Sequence, residues 1–377
     1  MLVQDLVAAM ERIAPLEYAE PWDKVGLLVG SRTKPLNPKV LLTIDLTESV
    51  LAEALALQAG AIIAYHPPIF EPLARVTDKT PQQRIVLGAI EAGIAVYSPH
   101  TALDAVPGGI CDWLCEGLSG GEGKVIGDCR ALVPHAARQQ SQEVKIVTFV
   151  PTGHAETVRN ALATAGAGII GGYRVCSFTS AGTGTFLGDP GTSPVVGKRG
   201  ELESVSEHRL EMVCSKSALS LALETLRRFH PYEEPPVDVY ELLPKPQRNF
   251  GPGRRLHLDR PTALGELAER LRRHLGSCIR VADCGHTGGI STIGVCAGSG
   301  GELAAAARAE GCEAYVTGEL SHHKVMASLH AGMSVILGEH TGTERGYLVR
   351  LAQRLVAEMP ECQPAVSRTD VDPLRPI

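Results

Sequence analysis

The sequence is poor in several things that whole classes of protein require. Aromatic residues make up only 4% of the 377 residues, so the stacking platforms that hold single-stranded nucleic acid are scarce. Positive charge is not in excess: the formal net charge of −6 argues against a protein that coats phosphate backbones. No apolar run approaches the roughly 20 residues of a membrane helix. The stretch from Ala59 to Tyr65 is broken at once by His66. Ten cysteines are present, yet there is no Cys-x-x-Cys and only Cys111 and Cys115 lie close together. A zinc ribbon or disulfide framework is therefore not expected, and those two thiols, on one face of an expected helix, read as buried packing. Residues Met1 to Leu16 carry Asp5 and Glu11 within an amphipathic pattern, which suits a first helix rather than a leader, and the expected location is cytoplasmic. A metal or a small molecule fits this composition better than nucleic acid or a membrane.

What is present is the balance of a globular α/β protein: 44% hydrophobic residues, 40 glycines and strand-like runs that alternate with helix-like ones. In the first segment, Lys39 to Asp45, Ala61 to Tyr65 and Ile94 to Ser98 read as strands, with Glu48 to Gln58 and Pro81 to Glu91 as helices between them. That rhythm implies a largely parallel, buried sheet. The last segment repeats it, with strands at Thr292 to Cys296, Glu313 to Thr317 and Met333 to Leu337, and helices at Glu302 to Glu310 and Ser321 to Ala331. The texture changes after the polar stretch His135 to Glu143. Val144 to Val150 reads as strand, Ala155 to Ala165 as helix, then come Gly-rich hairpin-like segments with Thr183 to Phe186. Arg209 to Ser215 reads as strand, Leu219 to Phe229 as helix and Val237 to Leu242 as a closing strand. This β-α-β-β-α-β order is that of a ferredoxin-like unit. The expected organisation is one discontinuous α/β domain, residues 1–142 and 247–377, interrupted by an α+β domain at 143–246.

In open parallel sheets functional groups collect beyond the carboxyl ends of the strands, where the following loops converge. Three strand ends deliver metal-competent side chains: Tyr65-His66-Pro67-Pro68, then Ser98-Pro-His100-Thr-Ala-Leu-Asp104, then Glu339-His340-Thr-Gly-Thr-Glu344. The last two share His-Thr-x-x-acid, which places imidazole and carboxylate on one face of a helix start. Zinc, iron and manganese accept such a mixed nitrogen and oxygen set. Gly298-Ser-Gly-Gly301, at a strand-to-helix turn, leaves two readings open: free amides that receive a phosphate, or a tight turn. His230-Pro-Tyr-Glu-Glu234 also has two readings, closure of the insert or contact with a neighbouring subunit. Trp22 and Asp23 are expected to fix the first loop against the sheet, with packing favoured over substrate stacking for Trp22. His322 is expected to be simply exposed.

Together these stretches resemble the NIF3-like family, also catalogued as GTP cyclohydrolase 1 type 2 homologues. The resemblance is carried by Glu20-Pro-Trp-Asp-Lys-Val-Gly-Leu-Leu-Val-Gly30, Tyr65-His-Pro-Pro-Ile-Phe70, Ser98 to Asp104, Thr317-Gly-Glu-Leu-Ser-His-His323 and Gly338 to Gly346. The middle resembles the PII- or CutA-like insert of longer members through Gly166 to Tyr173, Gly182 to Phe186 and His230 to Glu234. The resemblance implies a dinuclear site in which His66, Asp104, His340 and Glu344 match ligand positions, with Glu344 bridging. It also implies one or two divalent ions per subunit (zinc, iron or manganese) and a homohexamer with the sites facing an internal cavity. Where many relatives have His-His, this chain has Tyr65-His66, and a neutral tyrosine is a poor ligand with an ordinary pKa of about 10. His100 and His323 are expected to line the site and to handle protons. The function expected by resemblance is a metal-dependent hydrolase acting on a nucleotide or related small molecule. The alternative is a non-catalytic metal-binding regulatory or interaction protein with the insert as sensor or gate.

Overall fold

A computed structural model describes residues 1–137 and 139–374. The chain divides into two compact units: Met1–His135 with Gln247–Ile377, and Ala136–Pro246.

The first unit is mixed α/β and holds two sheets. One is five-stranded, in the order Gly26–Val29, Ala95–Ser98, Ala61–Ala64, Lys39–Thr43, Gln363–Val366. All its pairings are parallel except the edge pair Gly26–Val29 with Ala95–Ser98. Ala61–Ala64 and Ala95–Ser98 are buried at every position, as strands covered on both faces must be. The connecting helix Pro81–Ala92 shows how locally the elements are specified. The Thr80 hydroxyl accepts from the Gln83 amide, Pro81 takes the first turn where no amide is needed, and Gly93 ends the helix at φ 68°.

The other sheet is six-stranded, in the order Arg280–Ala282, Ser334–Leu337, Ala314–Thr317, Ile290–Val295, Arg254–Thr262, Asp128–Ala131. Only the three strands Ser334–Leu337, Ala314–Thr317 and Ile290–Val295 run parallel; the outer pairings are antiparallel. The parallel rhythm of the last segment thus describes the middle of a mixed sheet, to which Arg254–Thr262, Asp128–Ala131 and Arg280–Ala282 add by antiparallel pairing. The helix expected at Glu302 to Glu310 is shorter, Ala304–Ala309.

Apolar residues of both sheets share one core with helices Val3–Ile13, Ile110–Ser119, Leu264–Leu275 and Leu348–Glu358. Ile110–Ser119 carries apolar residues on nearly every side and is buried throughout except at Asp112, with Cys111 and Cys115 fully enclosed, as packing thiols should be. Among the described residues none of the ten cysteines is in a disulfide.

One buried cation ties this core together. Arg254 is 1% exposed. It donates to the Asp112 carboxylate and to the carbonyls of Gly251 (2.8 Å), Gly253 (2.8 Å) and Val106 (2.7 Å). Replacing it with methionine should lower stability by roughly 3–5 kcal/mol, because Asp112 would lose its counter-charge and three carbonyls their donor. A shift in the urea midpoint worth less than about 1 kcal/mol would contradict this role.

The second unit has the order strand Val144–Pro151, helix Ala155–Thr164, strands Phe178–Leu187 and Leu202–Cys214, helix Lys216–Phe229, strand Val237–Glu241. The sheet is antiparallel, in the order Val237–Glu241, Val144–Pro151, Leu202–Cys214, Phe178–Leu187. Ile146, Val158, Leu162, Leu210, Met212 and Leu226 fill its own core. Leu202–Cys214 starts well before Arg209, because it pairs residue by residue with the Gly-containing strand Phe178–Leu187. Ala136–Ala137 pairs with Lys245–Pro246 where the chain enters and leaves; Arg138, inside the polar stretch, lies outside the described residues. Among the described residues no helix is long and apolar enough to cross a membrane.

Candidate metal centre

Strand Ala61–Ala64 runs straight into Tyr65 and His66, and strand Ser334–Leu337 runs into His340 and the short helix Gly342–Arg345 that carries Glu344. These strand ends, from different sheets, bring His66, His340 and Glu344 together with ligating atoms all within 4.8 Å of one another. Glu344 is 2% exposed and its two oxygens face different imidazoles. Oε2 lies 3.4 Å from His66 Nε2, and Oε1 lies 3.4 Å from His340 Nε2. Buried Oε2 has no hydrogen-bond partner. A buried carboxylate oxygen without a donor is costly, and a cation between these groups would satisfy it.

Both imidazoles are oriented by carboxylates on their far side. His66 Nδ1 is 2.9 Å from Asp45 Oδ1, and His340 Nδ1 is 3.0 Å from Glu319 Oε1. With Nδ1–H donating outward, each Nε2 lone pair points at the cluster, the arrangement that metal-binding histidines use. Burial opposes a charge on His66, but the hydrogen bond it donates to Asp45 and its contact with Glu344 outweigh that and lift the imidazole to about 10. The same hydrogen bond holds the Asp45 carboxyl below its ordinary value. A proton and a metal therefore compete for this imidazole.

Asp104 lies outside the triad. Tyr65, 2% exposed, donates its hydroxyl to Asp104 Oδ1 at 2.8 Å. Burial raises the Tyr65 hydroxyl well above its ordinary value, and nearby Asp104 adds to the rise. Burial likewise raises the Asp104 carboxyl, against the opposing effect of the Tyr65 hydrogen bond.

His100 stands beside the cluster, its ring 5.5 Å from that of His66 and 5.4 Å from that of Tyr65. Its backbone has φ 34°, an uncommon conformation for a non-glycine residue. Asp23 holds it there, accepting from His100 Nδ1 (2.7 Å), the Thr101 amide (3.1 Å) and the Thr101 hydroxyl (2.5 Å). Burial alone would raise the Asp23 carboxyl, but these bonds keep it below the ordinary value. His323 is not in the triad; it is exposed at the start of helix His322–His330, with the ring of His322 5.8 Å away. His322 is exposed too.

Two amides of the glycine turn are engaged within the site. Gly298 donates to the Thr343 hydroxyl (2.9 Å) and Gly300 to the Thr317 hydroxyl (3.0 Å), so neither is left for a phosphate. Gly298 adopts φ 56°, and a Cβ there would lie 2.5 Å from Glu344 Oε1 and 3.1 Å from His340 Nε2. Only glycine leaves room for the carboxylate.

A family model described as Duf34/NIF3 (NGG1p interacting factor 3) matches residues 1–373. The chain belongs to the DUF34/NIF3 family. It is 35% identical over 334 residues to the "GTP cyclohydrolase 1 type 2 homolog" of Halalkalibacterium halodurans, covering 88% of this chain and 87% of that one. It is 33% identical over 383 residues to human "NIF3-like protein 1", covering 100% of this chain and 92% of the relative. The crystal structure of a Bacillus cereus protein related to NIF3 is 31% identical, with a TM-score of 0.64, covering 100% of this chain and 99% of that one. Sequence reasoning for this NIF3 family member overlooked Asp45 and Glu319. Each follows a strand of the parallel part of its sheet by two residues, which is the signal that could have found them.

Proposed function

We propose that this DUF34/NIF3 chain is a metal-dependent hydrolase that acts on a nucleotide or a related small molecule. The observation that supports it most is the buried, unpartnered Glu344 Oε2 between two carboxylate-oriented imidazoles. His66, His340 and Glu344 would hold one divalent ion or share two, with Asp104 as a further oxygen donor. Zinc, iron or manganese suits two nitrogens with carboxylate oxygens. A bound divalent ion supplies Lewis acidity, bringing the pKa of water towards about 7. Asp45 and Glu319 keep the imidazoles in register, and His100, fixed by Asp23, is the residue placed to carry a proton. The second unit is proposed as a PII/CutA-like insert and the assembly as a homohexamer.

Metal-loaded full chain should hydrolyse a nucleotide, GTP being one to try, and lose that activity on chelation and in His100→Ala. Hydrolysis unchanged by both would overturn the proposal. A second reading, a regulatory metal protein, draws on a cavity of about 940 Å³ in the second unit, lined among others by Phe149, Phe186, Glu207, Arg209 and Tyr232. Stable metal binding without any nucleotide hydrolysis would favour it.

Tyr65→His should raise metal stoichiometry or tighten the weaker site. It adds a nitrogen donor and removes the hydroxyl that engages Asp104. Identical metal titrations for variant and parent would show that Tyr65 does not decide occupancy.

A further inference from the structure

The loop before strand Gly26–Val29 carries an aromatic surface that the metal centre does not use. Trp22 is 54% exposed and Phe70 42%, so Trp22 does not pack into the sheet as the sequence suggested. Single exposed apolar residues are ordinary. These two, in a chain with few aromatics, are in ring contact at 6.2 Å, and Phe70 borders a cavity of about 400 Å³ together with Asp23 and Ile69. Trp22 also meets His100 edge-on at 6.1 Å. From there an unbroken series of rings runs His100 to His66 at 5.5 Å and His66 to His340 at 5.4 Å.

We infer that the exposed indole of Trp22, bordered by the Phe70 ring tilted 55° to it, is a shelf on which the substrate's planar heteroaromatic ring stacks while its reacting bond reaches the His66–His340–Glu344 cluster. The inference rests on the reading of that cluster as a hydrolase centre and names the part of the substrate it selects. Two features support a ring as the occupant. The surface joins the cluster through His100 without a gap. Its backbone is also anchored beside Trp22: the Asp23 side chain, next in sequence, is buried and accepts from His100 and Thr101. Stacking of a base on an indole tolerates any base, so the shelf selects a ring and leaves its identity to other contacts.

The chain has two tryptophans, and Trp113 is 8% exposed, so emission changes that appear on adding a ligand to the full chain and vanish in Trp22→Phe report Trp22. Adenosine and guanosine should quench that emission saturably in the parent protein, with and without a chelator, whereas ribose should not. By calorimetry, Trp22→Ala should weaken nucleoside binding about 5- to 150-fold, the range spanned by loss of one base–aromatic stack, and Trp22→Phe should recover most of it. Absence of saturable quenching would overturn the shelf, as would equal affinity in Trp22→Ala, or emission that changes only on dilution, which would mean that a second copy covers Trp22. The two readings can fail separately. Nucleoside binding without metal binding would remove the hydrolase reading and leave the shelf; metal-dependent hydrolysis unaffected by Trp22→Ala would remove the shelf alone.

Discussion

Purified His340→Ala and Glu344→Gln proteins are each expected to lose most of their metal. His340 presents one of two oriented nitrogens, and Glu344 faces both imidazoles from a position 2% exposed. Glutamine keeps the volume of Glu344, so its effect separates loss of a charged donor from collapse of the fold. Glu319→Gln, which leaves His340 in place but weakens its orientation, should reduce metal affinity by roughly 10- to 100-fold, a smaller loss than either. Elemental analysis after gel filtration reads all three. Unchanged metal in both His340→Ala and Glu344→Gln would sink the site.

The second large effect concerns the Ala136–Pro246 unit, whose removal should leave a soluble, metal-binding remainder. Its sheet and helices enclose their own core, and its ends are paired strands. In the first unit the Gln247 amide donates to the His135 carbonyl at 2.7 Å, so the flanks meet and a short Gly/Ser linker can join them. Every residue of the triad belongs to the first unit. The shortened chain should melt cooperatively and carry the same metal per chain. A chain that folds but binds none would mean that the removed unit supplies a ligand.

The features legible in the sequence were those set by short-range chemistry. Strands that end in His66 and His340 could be read because a buried parallel strand is a continuous apolar run and the polar residue that ends it stands out. The four-residue spacing of His340 and Glu344 pointed to a pair, and they lie 3.4 Å apart, with His340 just before helix Gly342–Arg345 rather than on it. What escaped depended on contacts between distant segments. Asp45 meets His66 across neighbouring strands, Arg254 reaches Asp112 from 142 residues away, and Trp22 stays at the surface because Asp23 turns inward to His100. His323 follows the Thr317-Gly-Glu319 segment closely, yet helix His322–His330 leaves it exposed while Glu319 takes the place beside His340.

By itself the sequence determined which side chains stand at the strand ends, because alternation of apolar runs, caps and glycines fixes each element locally. Only the tertiary structure decided which of those ends meet. Burying both sheets on one set of helices brings His66 against Glu344 from 278 residues away, turns Asp45 and Glu319 into orienting partners, and ties Asp104 to Tyr65. A side chain's chemistry is written at its own position, but its partners are chosen by the closure of the core.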